Sequence, residues 1–102
     1  MESLIEKLKQ AGDESFETWF DRWYKKRNLE RSLVISSSKG FNRLSIDINK
    51  ENEYIKRRML DKQFIPKLKK MLGTGINVYL KVVPRKNLLG FGLEDKYIVI
   101  EW

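Results

Sequence analysis

One stretch of the sequence indicates the fold class. Residues 65–83 read IPKLKKMLGTGINVYLKVV. Over residues 65–72 apolar side chains recur every three or four positions, as on one face of a helix, and Gly73 ends that pattern. Over residues 76–83 they alternate with other side chains, as in a strand with one buried face. A helix followed directly by a strand predicts an α+β protein.

The helical pattern extends upstream, so that it covers residues 51–72. Pro66 lies inside it, where the proline ring removes one main-chain hydrogen bond and disfavours helical angles at Ile65. The sequence therefore predicts either a kink near residues 62–66 or two consecutive helices.

Two strands are predicted before this helix. Residues 32–37 contain a β-branched pair, and residues 44–48 alternate between apolar and polar side chains. The segment 38–40 between them is typical of a turn, in which Gly40 is free to adopt a positive φ. Together these features predict a β-hairpin.

The C-terminal part of the chain contains a further predicted strand. Pro84 is expected to stop the strand over residues 76–83, because proline cannot donate to a sheet ladder. Residues 87–92 are typical of a loop, and residues 97–102 have a strong β preference.

The N-terminal residues predict two short helices. Ser3 is a good N-cap for a helix over residues 3–10, and Gly12 is expected to end it. A second helix should run from Asp13 or Ser15 to about residue 27. Five aromatic side chains fall on one face of it: Phe16, Trp19, Phe20, Trp23 and Tyr24. This face is predicted to belong to the core, with Phe16 and Trp19 buried and Trp23 or Tyr24 partly exposed.

The whole pattern predicts an α+β fold in the order α-α-β-β-α-β with a further C-terminal strand. Two N-terminal helices and one long or kinked helix would pack on a small, mostly antiparallel sheet of three or four strands. A length of 102 residues is typical of one domain.

The composition excludes many kinds of chemistry. The sequence has no cysteine and no histidine, which excludes disulfides, Cys or His metal sites and imidazole bases. The neighbouring acids Asp13-Glu14 and Glu94-Asp95 are poor catalytic pairs, because adjacent side chains point in different directions. Gly73-Thr74-Gly75 and Gly90-Phe91-Gly92 lack the remaining residues of phosphate-binding loops. We expect no enzymatic activity, no cofactor and no metal.

No membrane-spanning run and no signal peptide is evident, so a cytoplasmic location is expected.

The charge balance predicts a polyanionic partner. Lys and Arg number 21 against 14 Asp and Glu, which gives a net charge of +7 and a pI near 9.7. The candidate nucleic-acid-binding residues are Tyr54, Lys56, Arg57, Lys67 and Lys70 on the long helix, with Lys39 and Arg43 at the hairpin. An aromatic ring among basic residues would stack on unpaired bases. The alternative is that these residues form ordinary solvated faces.

A second candidate surface is acidic. Residues 1–24 hold six acidic and three basic side chains. Glu14, Glu17 and Asp21 would let the protein act as a protein-interaction or inhibitor module without nucleic-acid binding. The free edge of the strand over residues 97–102 is an alternative surface for binding a protein partner.

Several segments also resemble a known family. They are Ser15-Phe16-Glu17-Thr18-Trp19-Phe20, Leu44-Ser45-Ile46, Asn52-Glu53-Tyr54, Met59-Leu60-Asp61 and Val78 to Val83. In order and spacing they resemble the N-terminal domain (domain I) of the bacterial replication initiator DnaA, over residues 3–83. The most specific of these motifs is the aromatic one at residues 15–20.

The resemblance implies a KH-like module over residues 1–83, with residues 84–102 as the C-terminal loop and extra strand of the same domain. It implies a non-enzymatic replication module that binds single-stranded DNA, or a replication protein such as the helicase or the initiator. Tyr54 would match the aromatic residue implicated in helicase and single-strand contact, Ser15 or Glu14 a helicase-contacting position, and Trp19 the structural tryptophan. A stand-alone copy would fit a phage or mobile element.

Overall fold

The computed structural model describes residues 3–85 and 93–102. The elements in chain order are α1 (Leu4–Arg27), α2 (Leu29–Ser38), β1 (Arg43–Asp47), α3 (Glu53–Met59), α4 (Phe64–Leu72), β2 (Asn77–Arg85) and β3 (Leu93–Glu101). This confirms the predicted α+β class with an antiparallel sheet. The chain divides into two compact units, residues 1–32 and residues 33–102. The predicted loop over residues 87–92 lies outside the described residues.

The first helix is longer than predicted. Ser3 caps α1 by accepting a hydrogen bond from the Glu6 amide at 3.3 Å, as expected. The predicted break at Gly12 is wrong, because Gly12 does not adopt a positive φ and α1 continues through it to Arg27. None of the described helices is both long enough and apolar enough to cross a membrane.

The aromatic side chains of α1 form a continuous ladder along the helix. Phe16 and Phe20 are buried, and Trp19, predicted to be buried, is only partly so. Trp19 stacks on Trp23 with 5.9 Å between ring centroids, and Phe20 stacks on Tyr24 at the same separation. Offset aromatic contacts of this kind add to the burial energy and stiffen the helix.

The segment predicted as the first strand is a helix. Asn28 ends α1 in a left-handed conformation with φ 49°, and α2 begins at the next residue. Leu29 and Leu33, four residues apart, are both buried, and this helical spacing outweighs the β preference of Val34 and Ile35. Gly40 has a positive φ of 88° as expected, but it follows α2 and does not join two strands.

The predicted long helix is two consecutive helices, which confirms one of the two expectations, and the break between them at residues 60–63 precedes Pro66. Pro66 is the third residue of α4. Amides in the first turn of a helix have no acceptor within the helix, so proline removes no helical hydrogen bond there. Between the helices, the Asp61 carboxylate accepts from the Gln63 amide at 2.9 Å and the Asp61 carbonyl accepts from the Phe64 amide at 3.0 Å.

The C-terminal strand lies in the centre of the sheet. The strand order is β1-β3-β2, and both ladders are antiparallel. The strand predicted over residues 97–102 begins earlier, at Leu93, and is paired on both sides, so the prediction of a free edge there is wrong. The sheet face formed by Ile46, Val78, Ile98 and Ile100 is buried, and α4 packs against β2.

The hydrogen-bond pattern explains why Pro84 does not stop β2. The Ile48 amide donates to the Lys96 carbonyl, and the Trp102 amide donates to the Asn42 carbonyl, so even-numbered residues of β3 face β1. Because main-chain groups alternate in direction along a strand, odd-numbered residues of β3 face β2. Their partners on β2 are also odd-numbered. Pro84, which pairs with Glu94, therefore has its missing donor on the outer edge.

A pair of proline substitutions tests this pattern. Lys81→Pro removes an amide that faces β3, whereas Val82→Pro removes one that faces outward. Both side chains are exposed. We expect Lys81→Pro to lower the free energy of unfolding by about 1–3 kcal/mol more than Val82→Pro, as measured by urea denaturation. Equal effects of the two substitutions would contradict the pattern.

Candidate nucleic-acid interface

The helix α3 and the turn that follows it place four side chains next to one another. The Asn52 side chain caps the helix by accepting from the Ile55 amide at 2.9 Å, and Met59 anchors the helix in the core. The four side chains are those of Tyr54, Arg57 and Arg58 of α3, at positions i, i+3 and i+4, and of Asp61, which follows the helix. They line a hollow of about 170 Å³. Two of the predicted residues, Tyr54 and Arg57, therefore meet at one site.

Arg58 holds the Tyr54 ring in place. Its guanidinium carbon lies 5.3 Å from the ring centroid, and its Nη2 donates to the Tyr54 hydroxyl at 3.3 Å. The tyrosine remains 54% exposed. A fixed aromatic ring beside a cationic group, open to solvent, is suited to receive a planar ring and a neighbouring anionic group.

The sequence prediction did not include Arg58. It selected Tyr54, Lys56 and Arg57 because they are close in sequence, but Arg58 contacts Tyr54 because it lies one helical turn later. The i, i+4 spacing of a tyrosine and an arginine was the available signal.

Lys56 lies apart from the hollow. Its ammonium is 3.6 Å from a carboxylate oxygen of Glu53, and about a third of its side chain is exposed. An exposed pair of this kind contributes little to stability, but it lowers the net positive charge that Lys56 presents.

The predicted lysines of α4 are arranged around its exposed face. Phe64 and Leu68 are buried on the other face. Lys70 is exposed and Lys67 is half-buried, while Lys69, which was not predicted, is also exposed. The stretch 53–72, which spans α3 and α4, contains seven basic and only two acidic residues.

The two remaining basic residues predicted to bind nucleic acid lie on other parts of the chain. Lys39 is exposed in the turn after α2. Arg43, on β1, forms an ion pair with Glu101 on β3. Since no hairpin joins these two residues, the reason given for grouping them is wrong. Their role in binding nucleic acid stays a prediction.

The carboxylate that pairs with Arg43 belongs to a small polar network on the sheet. The Tyr79 hydroxyl donates to Glu101 Oε1 at 2.7 Å. This hydrogen bond lowers the pKa of Glu101, and the Arg43 guanidinium lowers it further. The same hydrogen bond is the main cause of a raised pKa of Tyr79, and partial desolvation of the phenol raises that pKa further. These shifts have structural causes and need no catalytic role.

The acidic residues of α1 form a face of their own. Glu14, Glu17 and Asp21 fall at i, i+3 and i+7, on a different side of the helix from the buried Phe16 and Phe20. All three acids are exposed, as is the predicted Ser15 beside them. The structure thus gathers three of the four predicted protein-interaction residues on one helix face, and Ser15 lies outside that face.

The part of the chain that the structure describes is residues 3–85 and 93–102. This part of the chain contains no cluster of three or more possible metal-ligating side chains.

The comparisons with known proteins identify no relative. No family model matches the chain, and no curated protein or solved structure matches it. The resemblance to the N-terminal domain of DnaA therefore stays a prediction based on short motifs.

Tyr24 provides a test of the packing where α1 meets α2. Burial raises the pKa of Tyr24 to about 12, and the hydrogen bond from its hydroxyl to Glu30, at 2.9 Å, raises it in the same direction. The neutral phenol is favoured in the folded state. The neutral Tyr24 phenol therefore makes its full contribution to the free energy of unfolding below the ordinary pKa of 10.0. That contribution is lost as the pH rises towards 12.

We expect the wild-type protein to lose more stability over that pH range than Tyr24→Phe does, as measured by urea denaturation at a series of pH values. Glu30→Gln should show an intermediate dependence, because burial of the phenol remains. Parallel pH profiles for wild type and Tyr24→Phe would contradict this assignment.

Proposed function

We propose that this protein is a non-enzymatic module that binds single-stranded nucleic acid through the α3–α4 basic surface. That surface consists of Tyr54, Arg57, Arg58, Lys67, Lys69 and Lys70. The observation that supports this most directly is the exposed Tyr54 ring, fixed by Arg58 in a hollow that Arg57 also lines.

A stacking site of this kind favours unpaired bases. Every base has a flat face that can stack on an aromatic ring, and such contacts contribute about 1–3 kcal/mol per base. In a duplex those faces are covered by neighbouring base pairs. Tyr54 therefore gives a physical reason for preferring single strands over duplexes.

The surrounding cations supply the second part of the interaction. Arg57, Lys69 and Lys70 are exposed, so each is accessible to a phosphate. Binding that neutralises phosphates releases counterions, and its strength falls steeply as salt rises. Little sequence preference follows, since phosphates are the same along the strand.

The biological setting that we propose is DNA replication in the cytoplasm. Its support is the resemblance of residues 15–20 and 52–54 to the N-terminal domain of DnaA. In that setting the partners are single-stranded DNA and a replication protein, such as the helicase or the initiator. A phage or mobile-element origin is compatible with the same role.

Fluorescence anisotropy with a labelled single strand of about 20 nucleotides, and with the matching duplex, tests this function. A strand of this length is long enough to span the binding site of a small single-strand-binding module. We expect the single strand to bind more tightly and both affinities to fall with salt. Tyr54→Ala should weaken single-strand binding by roughly 5- to 150-fold, because it removes one stacking contact.

Charge-reversal substitutions show whether binding depends on the α3–α4 basic surface or only on the net charge of the protein. Arg57→Glu with Lys70→Glu should reduce both the affinity and its salt dependence. Lys7→Glu with Lys9→Glu is the matched control, because it changes the net charge equally at exposed positions of α1. Absence of binding at low salt, or an equal loss in the control, would contradict the proposal.

The acidic face of α1 supports a second candidate function, which is binding to a basic surface of a protein partner. Exposed acids on one helix face steer and orient such a partner more than they add affinity. In this case the protein is an interaction or inhibitor module, and the α3–α4 basic surface is only solvated.

A purified bacterial replicative helicase is the first partner to test. Glu14→Lys with Glu17→Lys should reduce its capture by the immobilised protein at least about tenfold. The matched variant, Arg57→Glu with Lys70→Glu, should leave that capture unchanged. Helicase binding that is insensitive to the α1 substitutions would contradict this second candidate.

A further inference from the structure

The sheet has one long apolar edge. β2 lies at the edge of the sheet, and its even-numbered residues direct their main-chain groups away from β3. Within residues 3–85 and 93–102, no hydrogen bond is formed by the outward groups of Val78, Leu80 and Val82. Leu80 and Val82 are also 38% and 43% exposed. An edge of this kind is a template for pairing with another strand.

The opposite edge of the sheet is different. β1 has only five residues, and its outward-facing positions are Arg43, Ser45 and Asp47. The carboxylate of Asp47 accepts from the main chain and the side chain of Asn49. Short length and charged side chains protect an edge from pairing, so the two edges are not equivalent.

We propose that β2 pairs with β2 of a second copy of this chain, antiparallel, with Leu80 on the two-fold axis. This inference is independent of nucleic-acid binding. The strand is chemically symmetric about Leu80, since valines lie two residues before and two residues after it. A two-fold interface requires a self-complementary surface, and this strand provides one.

The register follows from the residues that the axis brings together. With Leu80 on the axis, the outward-facing main-chain N–H and C=O of Val78 pair with those of Val82 in the second copy. The same groups of Leu80 pair with those of Leu80 in the second copy. On the other sheet face, Tyr79 lies opposite Lys81, where an ammonium can approach an aromatic ring.

The other registers are less favourable. An axis at Lys81 would place two ammonium groups directly opposite each other, which is destabilising. An axis at Val82 would pair Leu80 with Pro84, which has no amide to donate. An axis at Tyr79 would pair Val82 with Ile76, which precedes β2. An axis at Leu80 pairs the outward-facing donors and acceptors of Val78, Leu80 and Val82 with one another and places no like charges opposite each other.

The expected dimer is weak, because a single strand pair buries little surface. Sedimentation velocity over a wide range of protein concentrations should show a monomer–dimer equilibrium. Leu80→Lys should raise the dimer dissociation constant at least about tenfold, since it places like charges across the axis. Leu80→Pro should have a similar effect by removing the central donors, and it leaves the ladder to β3 intact.

The matched control is Val34→Lys, which adds the same charge at an apolar residue on α2 that is 68% exposed. It should leave the dimer unchanged, and circular dichroism should show that all variants are folded. A protein that stays monomeric at every concentration would overturn the proposal. So would a dimer that persists in both Leu80 variants, or an edge that binds an extended apolar peptide while the protein remains monomeric.

A cross-linking experiment tests the register. The chain has no cysteine, so a single introduced thiol can form a disulfide only between copies. Directly opposite residues of an antiparallel pair have Cα atoms about 5.5 Å apart, within reach of a disulfide. Leu80→Cys should therefore cross-link on oxidation. Val82→Cys should not, because four residues of offset separate the two thiols by about 13 Å. The reverse result would overturn the register.

Salt distinguishes this proposal from nucleic-acid binding. Two copies with a net charge of +7 repel each other, so added salt should leave dimerisation unchanged or strengthen it, whereas it weakens binding to phosphates. Tyr54→Ala should reduce single-strand binding and leave the dimer intact. A dimer that dissociates as salt rises would contradict pairing through this apolar edge.

Discussion

The unit over residues 33–102 depends on the central position of β3. β1 and β2 do not pair with each other, and each forms its ladder with β3. The three consecutive residues Ile98, Val99 and Ile100 are buried, so this one strand contributes to both faces of the sheet. α3 and α4 connect β1 to β2 along the chain. The position of the basic surface relative to the sheet therefore depends on β3 holding those two strands together.

Much of this fold could be predicted from hydrophobic periodicity. β1, β2, α3 and α4 correspond to the patterns that predict them, because the apolar residues of each segment lie on one face. The segment over residues 32–37 could not be assigned in this way. Its β-branched residues favour a strand, but the spacing of Leu29 and Leu33 favours a helix, and burial of both leucines decides between them. Gly12 was misread because glycine also occurs inside helices, where it needs no special conformation.

The candidate site was partly predictable for a similar reason. The sequence places Tyr54 and Arg57 near each other on any helix that forms there, and the structure places them around one hollow. The sequence does not reveal which basic side chains form ion pairs with acidic ones. Lys56 lies beside Glu53 in the same helix, whereas Arg43 pairs with Glu101 across two strands far apart in sequence. The second kind of contact depends on the sheet register, which short-range patterns do not determine.

The position of β3 also affects how the chain folds during synthesis. The pairing of Arg43 with Glu101 closes a long loop, and pairings between distant residues slow folding. On the ribosome, α1 to α4 can form as they emerge, since helical hydrogen bonds are local. The apolar faces of β1 and β2 have no strand between them until residues 98–100 have left the exit tunnel. The sheet is thus completed only after residues 98–100 have been made, and before then both strands are accessible to chaperones.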